Sequence, residues 1–302
     1  MKIIFMGTPD YAEAILKTLI DTSDMEVVAV YTQPDKPVGR KKVMTLPPVK
    51  ILANDNNIEV YQPNRLRDAD VVAELQKIEC DYIVVAAYGQ ILPQEILDHA
   101  PCINLHASIL PAYRGASPIQ QTLLNDDKTT GVTAMRMDIG LDTGDILKIQ
   151  TIDVGKDELV SSLFDRLTKV ACDLTVDVLQ NFDSLKPMPQ DDSLSTHCTK
   201  ITKANGEVNF EDAHSLYCKY RAYTPWPGIY LKNELKLKEI KLLEKCTENK
   251  AGKILSIGKK SIVIGCTKGT IEVFKVQAPS KKEVDVISYI NGKRLALEDY
   301  LS

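Results

Sequence analysis

Asn104 and His106 are the residues whose types and spacing are best suited to chemistry. They stand two positions apart in PCINLHASILPAYRGASP, residues 101–118. Side chains alternate along a β-strand, so a strand that turns Ile103 and Leu105 toward the core places Asn104 and His106 together on its other face. An amide can donate to a developing oxyanion, and an imidazole can carry protons near neutral pH. The alternative is a hydrogen-bonded core histidine beside an asparagine that caps a turn.

A short irregular loop follows this predicted strand, from Ser108 to Pro111. The ligand crevice of an open α/β sheet lies where the strands end. Backbone groups of a proline-terminated loop in that place can hydrogen-bond a planar heterocycle. The loop therefore predicts a binding surface next to His106.

The segment DIGLDTGDI, residues 138–146, holds three Asp and two Gly. Glycine permits a tight or left-handed backbone, which would bring Asp142 to the surface of a loop. A carboxylate that approaches His106 would orient the imidazole, as in other pairs of a base and its orienting group. The alternative is a hairpin turn that its own Asp residues cap.

The stretch TQPDKPVGRKKVMTLPPVK, residues 32–50, is cationic and rich in proline. It follows a predicted strand, and it has one Asp against the basic residues Lys36, Arg40, Lys41, Lys42 and Lys50. Such a loop can contact phosphates. The alternative is a solvated surface loop without a partner.

The charge of the chain is unevenly distributed. Taken as a sum, the net charge of −4 over 302 residues argues against a nucleic-acid partner. Residues 205–302 nevertheless carry 17 Lys and Arg against 12 Asp and Glu, a net +5, which leaves −9 for the residues before them. The second part of the chain is therefore the part suited to a phosphate backbone.

Several classes of protein are disfavoured by the sequence. The G-x-G-x-x-G fingerprint is absent, which argues against an NAD enzyme. The seven Cys are scattered without a C-x-x-C pair, which predicts a reducing compartment and no structural zinc. No apolar run approaches the roughly 18 residues of a membrane span, and we expect a cytoplasmic protein.

The order of predicted elements indicates two folded parts. Three short apolar runs alternate with helical patterns and indicate a parallel α/β sheet; they are residues 2–6, 26–31 and 81–87. A polar stretch at 183–206 is typical of a linker. The short runs that follow, within residues 228–276, indicate a small β-barrel or sandwich. We therefore expect domains at 1–182 and 207–302, joined by that linker.

Five segments carry a resemblance to a known family. They are IIFMGTPDYA (3–12), TQPDKPVGR (32–40), NLHASILPAYRGASPIQ (104–120), GLDTGDI (140–146) and AYTPWPGIY (222–230). With them the sequence resembles the methionyl-tRNA formyltransferase family over essentially the whole chain. The resemblance implies a Rossmann-like formyltransferase domain with a parallel sheet, then a C-terminal OB-like β-barrel domain that binds tRNA. It also implies formyl transfer from 10-formyltetrahydrofolate to initiator methionyl-tRNA.

The resemblance further implies roles for individual residues. The implied catalytic residues are Asn104, His106 and Asp142; the folate-binding residues are Ser108, Ile109, Leu110 and Pro111; the tRNA-binding residues are Arg40, Lys41 and Lys42. Ala107 stands where the family commonly has glycine and Ile109 where it commonly has leucine, so we expect altered packing of the folate loop without loss of function. No metal is implied, and we expect a monomer.

Two other functions fit parts of the sequence. An enzyme with the same first domain could formylate a sugar-nucleotide or ribonucleotide amine, or release the formyl group to water. A non-catalytic RNA-binding protein could retain the fold. The cationic stretch argues against the first, and the complete Asn104, His106 and Asp142 set argues against the second.

Overall fold

The computed structural model describes residues 1–39 and 42–301. This part of the chain divides into two compact units. The first consists of residues 1–118, 129–153 and 164–198, and the second of residues 119–128, 154–163 and those from 199 onward. Each unit is made of three separate segments of the chain, so neither unit corresponds to one contiguous half. The predicted domain limits at residues 182 and 206 stay a prediction.

Strands and helices alternate along most of the first unit. Its strands are β1 (Lys2–Gly7), β2 (Glu26–Tyr31), β3 (Lys36–Val38), β4 (Val43–Thr45), β5 (Val60–Tyr61), β6 (Tyr82–Ala86), β7 (Cys102–His106), β8 (Arg114–Gly115), β9 (Thr129–Arg136), β10 (Ile146–Asp153) and β11 (His197–Cys198). Its helices are α1 (Asp10–Asp21), α2 (Pro48–Asp55), α3 (Ala69–Leu75) and α4 (Gln94–Leu97), while α5 (Pro118–Leu124) and α6 (Val160–Gln180) contain residues of both units. No helix in the described part of the chain has both the length and the apolar character of a membrane-crossing segment.

A seven-stranded sheet forms the centre of the first unit. The strand order is β10-β9-β7-β6-β1-β2-β5. The pairs from β7 to β5 are parallel, whereas β9 and β10 pair antiparallel. Consecutive residues 3–6 of β1 are all fully buried, as expected for a strand covered on both faces. The predicted parallel-dominated sheet is confirmed; near one edge β9 runs antiparallel to the other six strands.

Strand β7 is held firmly at the position of the predicted site. It lies between β6 and β9, with Asn104 opposite Met135 and His106 opposite Thr133 of β9. The hydroxyl of Tyr11, from α1, donates to the carbonyl of residue 105 at 3.2 Å. The carboxyl end of β7 is therefore a rigid base for the side chains that it carries.

The polar stretch predicted as a linker is hydrogen-bonded to the first unit up to Cys198. The amides of Met188 and Ile146 each donate to the carbonyl of the other, at 2.9 and 2.8 Å. Further along, β11 pairs in parallel with β8. Gly115 of β8 has φ +114°, and a side chain there would collide with the carbonyl oxygen of Cys198, so this close pairing requires glycine.

The second unit is dominated by antiparallel strands. They are β12 (Ile229–Tyr230), β13 (Lys236–Glu248), β14 (Ile254–Ile257), β15 (Ile262–Gly265), β16 (Lys268–Gln277) and β17 (Val284–Asp285), accompanied by α7 (Ala213–Tyr223) and α8 (Val286–Lys293). The order is β12-β13-β16-β15-β14, and β17 also pairs with β16. Alternate residues Ile262, Ile264, Ile271 and Val273 are fully buried, so one face of β15 and β16 packs into the core. The predicted second domain of short strands is confirmed as an antiparallel strand domain, with two helices that the sequence pattern of strands did not include.

Arg221 of α7 anchors a charged network inside the second unit. Its side chain is 2% exposed; Nη1 donates to Asp126 Oδ1 at 2.8 Å, and Nε and Nη2 donate to two backbone carbonyls. Lys128 and His214 contact the other oxygen of Asp126 at 2.9 and 3.1 Å. Burial alone raises the pKa of Asp126, but hydrogen bonds from Lys128, His214 and Arg221 outweigh it and hold this pKa well below its usual range.

Asp126, His214 and Cys218 also resemble a metal site in their spacing, since one potential ligand atom of each lies within 4.8 Å of the others. The oxygens of Asp126 are already engaged by Arg221 and Lys128, whose positive charges oppose a divalent cation. Burial raises the pKa of the Cys218 thiol, and its sulfur lies 3.8 Å from Nε2 of His214. The cluster is therefore an ion-pair network.

Replacing Arg221 with alanine leaves two carbonyls and part of the Asp126 carboxylate without their donors. We expect the free energy of unfolding to fall by about 3 kcal/mol near neutral pH. Because folding lowers the pKa of Asp126, its contribution is present above the unfolded pKa of about 3.9 and is lost as the pH falls below that value. Urea denaturation of the two proteins at a series of pH values should therefore show a difference that shrinks in acid.

Lys17→Ala is the matched control, because it removes an exposed ion pair on α1. Such pairs contribute little to stability. An Arg221→Ala protein as stable as Lys17→Ala would contradict the role given to the network.

Candidate functional site

The side chains of Asn104, His106 and Asp142 meet at the carboxyl end of β7. Asn104 Nδ2 donates to Asp142 Oδ1 at 3.3 Å, and His106 Nδ1 lies 3.7 Å from Asp142 Oδ2. His106 is 6% exposed and Asp142 9%, while Asn104 is half-buried. The structure thus brings together the three residues that the sequence singled out, from two segments separated by 38 positions.

Asp142 is held in an unusual backbone conformation. Its φ is +56°, in the left-handed region that residues with a side chain seldom occupy. Its Oδ2 accepts a hydrogen bond from the amide of Gly115 at 2.8 Å. A side chain at Gly144 would collide with the carbonyl of Arg136, so glycine is needed where the loop returns to the sheet. Both oxygens of the carboxylate therefore have a donor, and Oδ2 also faces the imidazole.

The imidazole of His106 is oriented from both sides of the ring. Nε2 lies 2.9 Å from the carbonyl oxygen of Tyr113. Because a carbonyl only accepts, this contact assigns the proton to Nε2 and leaves a lone pair on Nδ1 of the neutral ring. Nδ1 points toward Asp142. A proton gained at Nδ1 would thus lie beside a carboxylate.

The loop from Ser108 to Pro111 is fixed by a residue that the sequence did not suggest. Thr133 Oγ1 donates to the carbonyl of Ser108 at 2.6 Å and accepts from the amide of Leu110 at 3.1 Å. Ser108 and Leu110 are buried, whereas Ile109 and Pro111 are half-buried. Of the four predicted folate-binding side chains, Ile109 and Pro111 are therefore the two that a ligand can reach.

Arg114 and Gln190 also belong to this neighbourhood. The guanidinium of Arg114 is 3% exposed and donates to Gln190 Oε1 and to Asp192 Oδ1, both at 2.8 Å. Arg114 lies in the RGASP segment, so its place near the loop was visible in the sequence. Gln190 lies in an irregular polar stretch and gave no signal.

Cys198 lies next to the segment that contacts Asp142, and its surroundings disfavour a thiolate. Its sulfur accepts from the amide of Ser117 at 3.3 Å. Burial raises the pKa of the Cys198 thiol, and the negative charge of Asp142 acts in the same direction. A raised pKa lowers the fraction of thiolate near neutral pH, and the thiolate is the form that acts as a nucleophile.

Loops after three neighbouring strands are tied together along the same edge of the sheet. Thr8 follows β1, Gln33 follows β2 and Tyr88 follows β6. Gln33 Nε2 and Thr8 Oγ1 both donate to the carbonyl of Tyr88, at 3.1 and 3.4 Å. The edge at which an α/β sheet binds ligands is therefore ordered beyond β7 itself.

The cationic stretch forms the two-stranded hairpin of β3 and β4. Lys36 and Lys42 are exposed. Arg40 and Lys41, two of the three predicted tRNA-binding residues, lie outside the described residues. Lys50 is held in an ion pair with a neighbouring aspartate at 2.8 Å, so it adds no free positive charge.

The sequence matches two known protein families, one in each part of the chain. Residues 1–179 match the formyl transferase family, and residues 200–294 match the formyl transferase C-terminal domain. Among solved structures, WlaRD, a sugar 3N-formyl transferase crystallised in the presence of dTDP and 5-N-formyl-THF, is similar with a TM-score of 0.68. The two chains are 18% identical, and the similarity covers 93% of this chain and 99% of WlaRD. This likeness concerns the fold.

Two relatives are similar in sequence over their whole length. The methionyl-tRNA formyltransferase of Sulfurimonas denitrificans is 65% identical over 302 residues, which is 100% of both chains. The methionyl-tRNA formyltransferase of Nitratiruptor sp. is 52% identical over 301 residues, 99% of both chains. The chain therefore belongs to the formyl transferase family and, within it, to the methionyl-tRNA formyltransferases.

Proposed function

We propose that this chain transfers a formyl group from 10-formyltetrahydrofolate to the free amino group of methionyl-tRNA, and so produces formylmethionyl initiator tRNA. The observation that carries the proposal is one buried carboxylate, Asp142, in contact with both Asn104 and His106. Relatives at 65% and 52% identity bear the name of this activity. A protein of the same fold was solved in the presence of a formylated folate.

The reaction forms one C–N bond and breaks another. The methionyl amine attacks the formyl carbon carried on N10 of the folate, and the carbonyl electron pair moves onto oxygen. The amine then loses a proton, the bond from carbon to N10 breaks as the carbonyl re-forms, and N10 takes up a proton. The site must therefore stabilise an oxyanion and carry one proton between two nitrogens.

Asn104 is suited to stabilise the oxyanion. One N–H of its amide donates to Asp142, which fixes the amide plane. Within the described part of the chain, no acceptor takes the second N–H. A donor oriented in advance needs no reorganisation when negative charge develops on the formyl oxygen.

His106 is suited to carry the proton. In its neutral form it presents the Nδ1 lone pair, because Nε2 donates to the carbonyl of Tyr113. When Nδ1 accepts the amine proton, the imidazolium is stabilised by Asp142 Oδ2 at 3.7 Å and can return the proton to N10. Asp142 then acts as the partner that orients and stabilises His106, as well as the acceptor that fixes Asn104.

The loop from Ser108 to Pro111 provides the folate contacts in this proposal. Thr133 fixes its backbone, so the loop does not have to be ordered when the ligand binds. The half-buried Ile109 and Pro111 would contact the folate ring, while the buried Ser108 and Leu110 would set the shape of the loop.

Arg40, Lys41 and Lys42 provide contacts to the acceptor end of the tRNA in this proposal. Of these three residues the structure describes Lys42, which lies between β3 and β4. These strands follow β2, which is separated from β7 by two strands, a lateral distance of about 14 Å at the usual strand spacing. Residues 205–302, with a net charge of +5, would contact the phosphate backbone further along. We further propose that the protein acts as a cytoplasmic monomer and requires no metal.

Single-turnover formylation of methionyl-tRNA is the direct test. Methionyl-tRNA, unacylated tRNA, a sugar-nucleotide amine and a free amine would be compared with one formyl donor, with formyl release to water measured in parallel. We expect rapid transfer to methionyl-tRNA alone. Faster transfer to another acceptor would support the rival formyltransferase activity, and no turnover with tRNA binding retained would support a non-catalytic RNA-binding protein.

Asn104→Ala removes the proposed oxyanion donor. We expect kcat for formylation to fall about 10²–10³-fold with binding of methionyl-tRNA unchanged, because the donor acts mainly in the transition state. Asn181→Ala is the control, since Asn181 is exposed and bonds only within its own helix end. Near-normal formylation by Asn104→Ala would refute the role.

His106→Gln separates the structural bond of the imidazole from its proton transfer. The glutamine amide can still donate to the carbonyl of Tyr113, but it cannot take up a proton. We expect a loss of about 10²–10⁴-fold in kcat, with the thermal midpoint close to that of wild type. A protein that keeps its activity would show that His106 is not the proton carrier.

Arg40→Ala and Lys42→Ala test the cationic hairpin. We expect the KM for methionyl-tRNA to rise and the salt dependence of tRNA binding to decrease by about one unit of slope for each lost phosphate contact. The KM for the folate should stay unchanged. Lys17→Ala removes an exposed cation from α1 as control. Equal losses toward tRNA and folate, or no loss toward either, would contradict the assignment.

A further inference from the structure

Gln190 lies between the two segments that form the site, and every hydrogen-bonding position of its amide is used there. Nε2 donates to the backbone carbonyls of Asp142 and Gly144, at 2.9 and 2.7 Å. Oε1 accepts from Nε and Nη2 of Arg114, at 3.1 and 2.8 Å. An amide has two N–H groups and two lone pairs, so its capacity is filled by these four contacts.

We propose that Gln190 is a positioning residue for formyl transfer, which holds the Asp142 carboxylate between Asn104 and His106. The inference rests on the proposed function for the reaction it serves. Gln190 touches none of the reacting groups directly, so its effect passes through Asp142.

The contact with the carbonyl of Asp142 acts on the backbone conformation of that residue. The direction of this carbonyl is set by ψ of Asp142, and a fixed carbonyl therefore also fixes where the side chain leaves the backbone. A left-handed conformation costs about 1–2 kcal/mol for a residue with a side chain, and Asp142 has φ +56°. Two hydrogen bonds from one amide, to Asp142 and Gly144, offset that cost in the loop.

The contact between Gln190 and Arg114 affects the segment that donates a hydrogen bond to the Asp142 carboxylate. Arg114 immediately precedes Gly115, whose amide donates to Asp142 Oδ2 at 2.8 Å. The side chain of Arg114 is 4% exposed, whereas that of its other acceptor, Asp192, is 82% exposed. Gln190 is therefore the sheltered partner of Arg114, and it links the segment that carries Asp142 to the segment that donates to it.

Gln190→Glu distinguishes these two contacts. The variant keeps an acceptor for Arg114 and makes it charged, but it places a carboxylate oxygen against the two carbonyls that the amide N–H groups held. We expect kcat to fall about 10–100-fold, because a small displacement of a catalytic group has effects of this size. The KM values for methionyl-tRNA and 10-formyltetrahydrofolate should change less than about threefold. The thermal midpoint should fall by no more than about 4 °C, because the charged acceptor for Arg114 compensates in part for the two lost hydrogen bonds.

Gln190→Leu removes both contacts at similar volume and should lower kcat at least as much. Asp191→Ala is the matched control from the adjacent position, because the Asp191 carboxylate accepts its hydrogen bonds from Ser193, within its own segment. It should leave kcat within about twofold of wild type.

The deciding measurement is a double-mutant cycle with Asp142→Asn. If Gln190 acts through the Asp142 carboxylate, Gln190→Glu should lower kcat by less than about twofold in that background. An equal loss in both backgrounds, or wild-type kcat in Gln190→Glu alone, would overturn the proposal. So would a loss in Gln190→Glu accompanied by a fall in the thermal midpoint of more than about 4 °C, which would indicate general destabilisation of the protein.

Amide hydrogen exchange tests whether Gln190 fixes the loop, and this test does not depend on whether the protein formylates methionyl-tRNA. Gln190→Glu should speed exchange in a peptide that covers residues 138–146, and Asp191→Ala should not. If the wild-type protein fails to formylate methionyl-tRNA, the proposed function fails, and the exchange rates still report whether Gln190 fixes the loop. Unchanged exchange in Gln190→Glu would overturn the positioning role in either case.

Discussion

A carboxylate with little access to water, on a left-handed backbone, is the constraint on which this site depends. Asp142 is 9% exposed and has φ +56°, and each condition is unfavourable unless neighbours offset it. The amides of Asn104 and Gly115 satisfy the two oxygens, and Gln190 holds the backbone carbonyl. Because one rigid group serves both Asn104 and His106, the proposed oxyanion donor and the proposed proton carrier are kept in a fixed relation to each other.

The same constraint explains why a stretch with the composition of a linker is ordered. Residues 183–198 cross the ends of two loops, and their hydrogen bonds go to backbone groups that would otherwise lack partners. Met188 pairs with Ile146, the first residue of β10 after the Asp142 loop. Cys198 pairs with Gly115, whose amide donates to Asp142. A polar sequence suits this task, since it supplies side-chain donors and acceptors to the loops outside the two residues of β11.

The sequence predicted the parts of the site that depend on local periodicity. Asn104 and His106 share a strand with fixed alternation, and the apolar runs that alternate with helical patterns indicated a buried parallel sheet. Asp142 was suggested by the glycines that flank it. Gln190 and its contact with Arg114 could not be predicted in this way, because a hydrogen bond between residues 76 positions apart leaves no periodic pattern in either segment. Thr133 was missed for the same reason: its side chain faces the loop only once β9 pairs antiparallel with β7.

The net charge of the whole chain differs in sign from the charge of its second part. A net charge of −4 suggests little affinity for a polyanion, yet residues 205–302 carry +5. Charges separated by more than about 8–10 Å of water are largely screened at physiological salt, so a phosphate responds to the cations near it and hardly to the sum over the chain. Lys50, held by an aspartate at 2.8 Å, shows the same rule at short range, because its partner cancels its field. The exposed Lys36 and Lys42 have no such ion-pair partner in the described part of the chain, and their charge remains available to a phosphate.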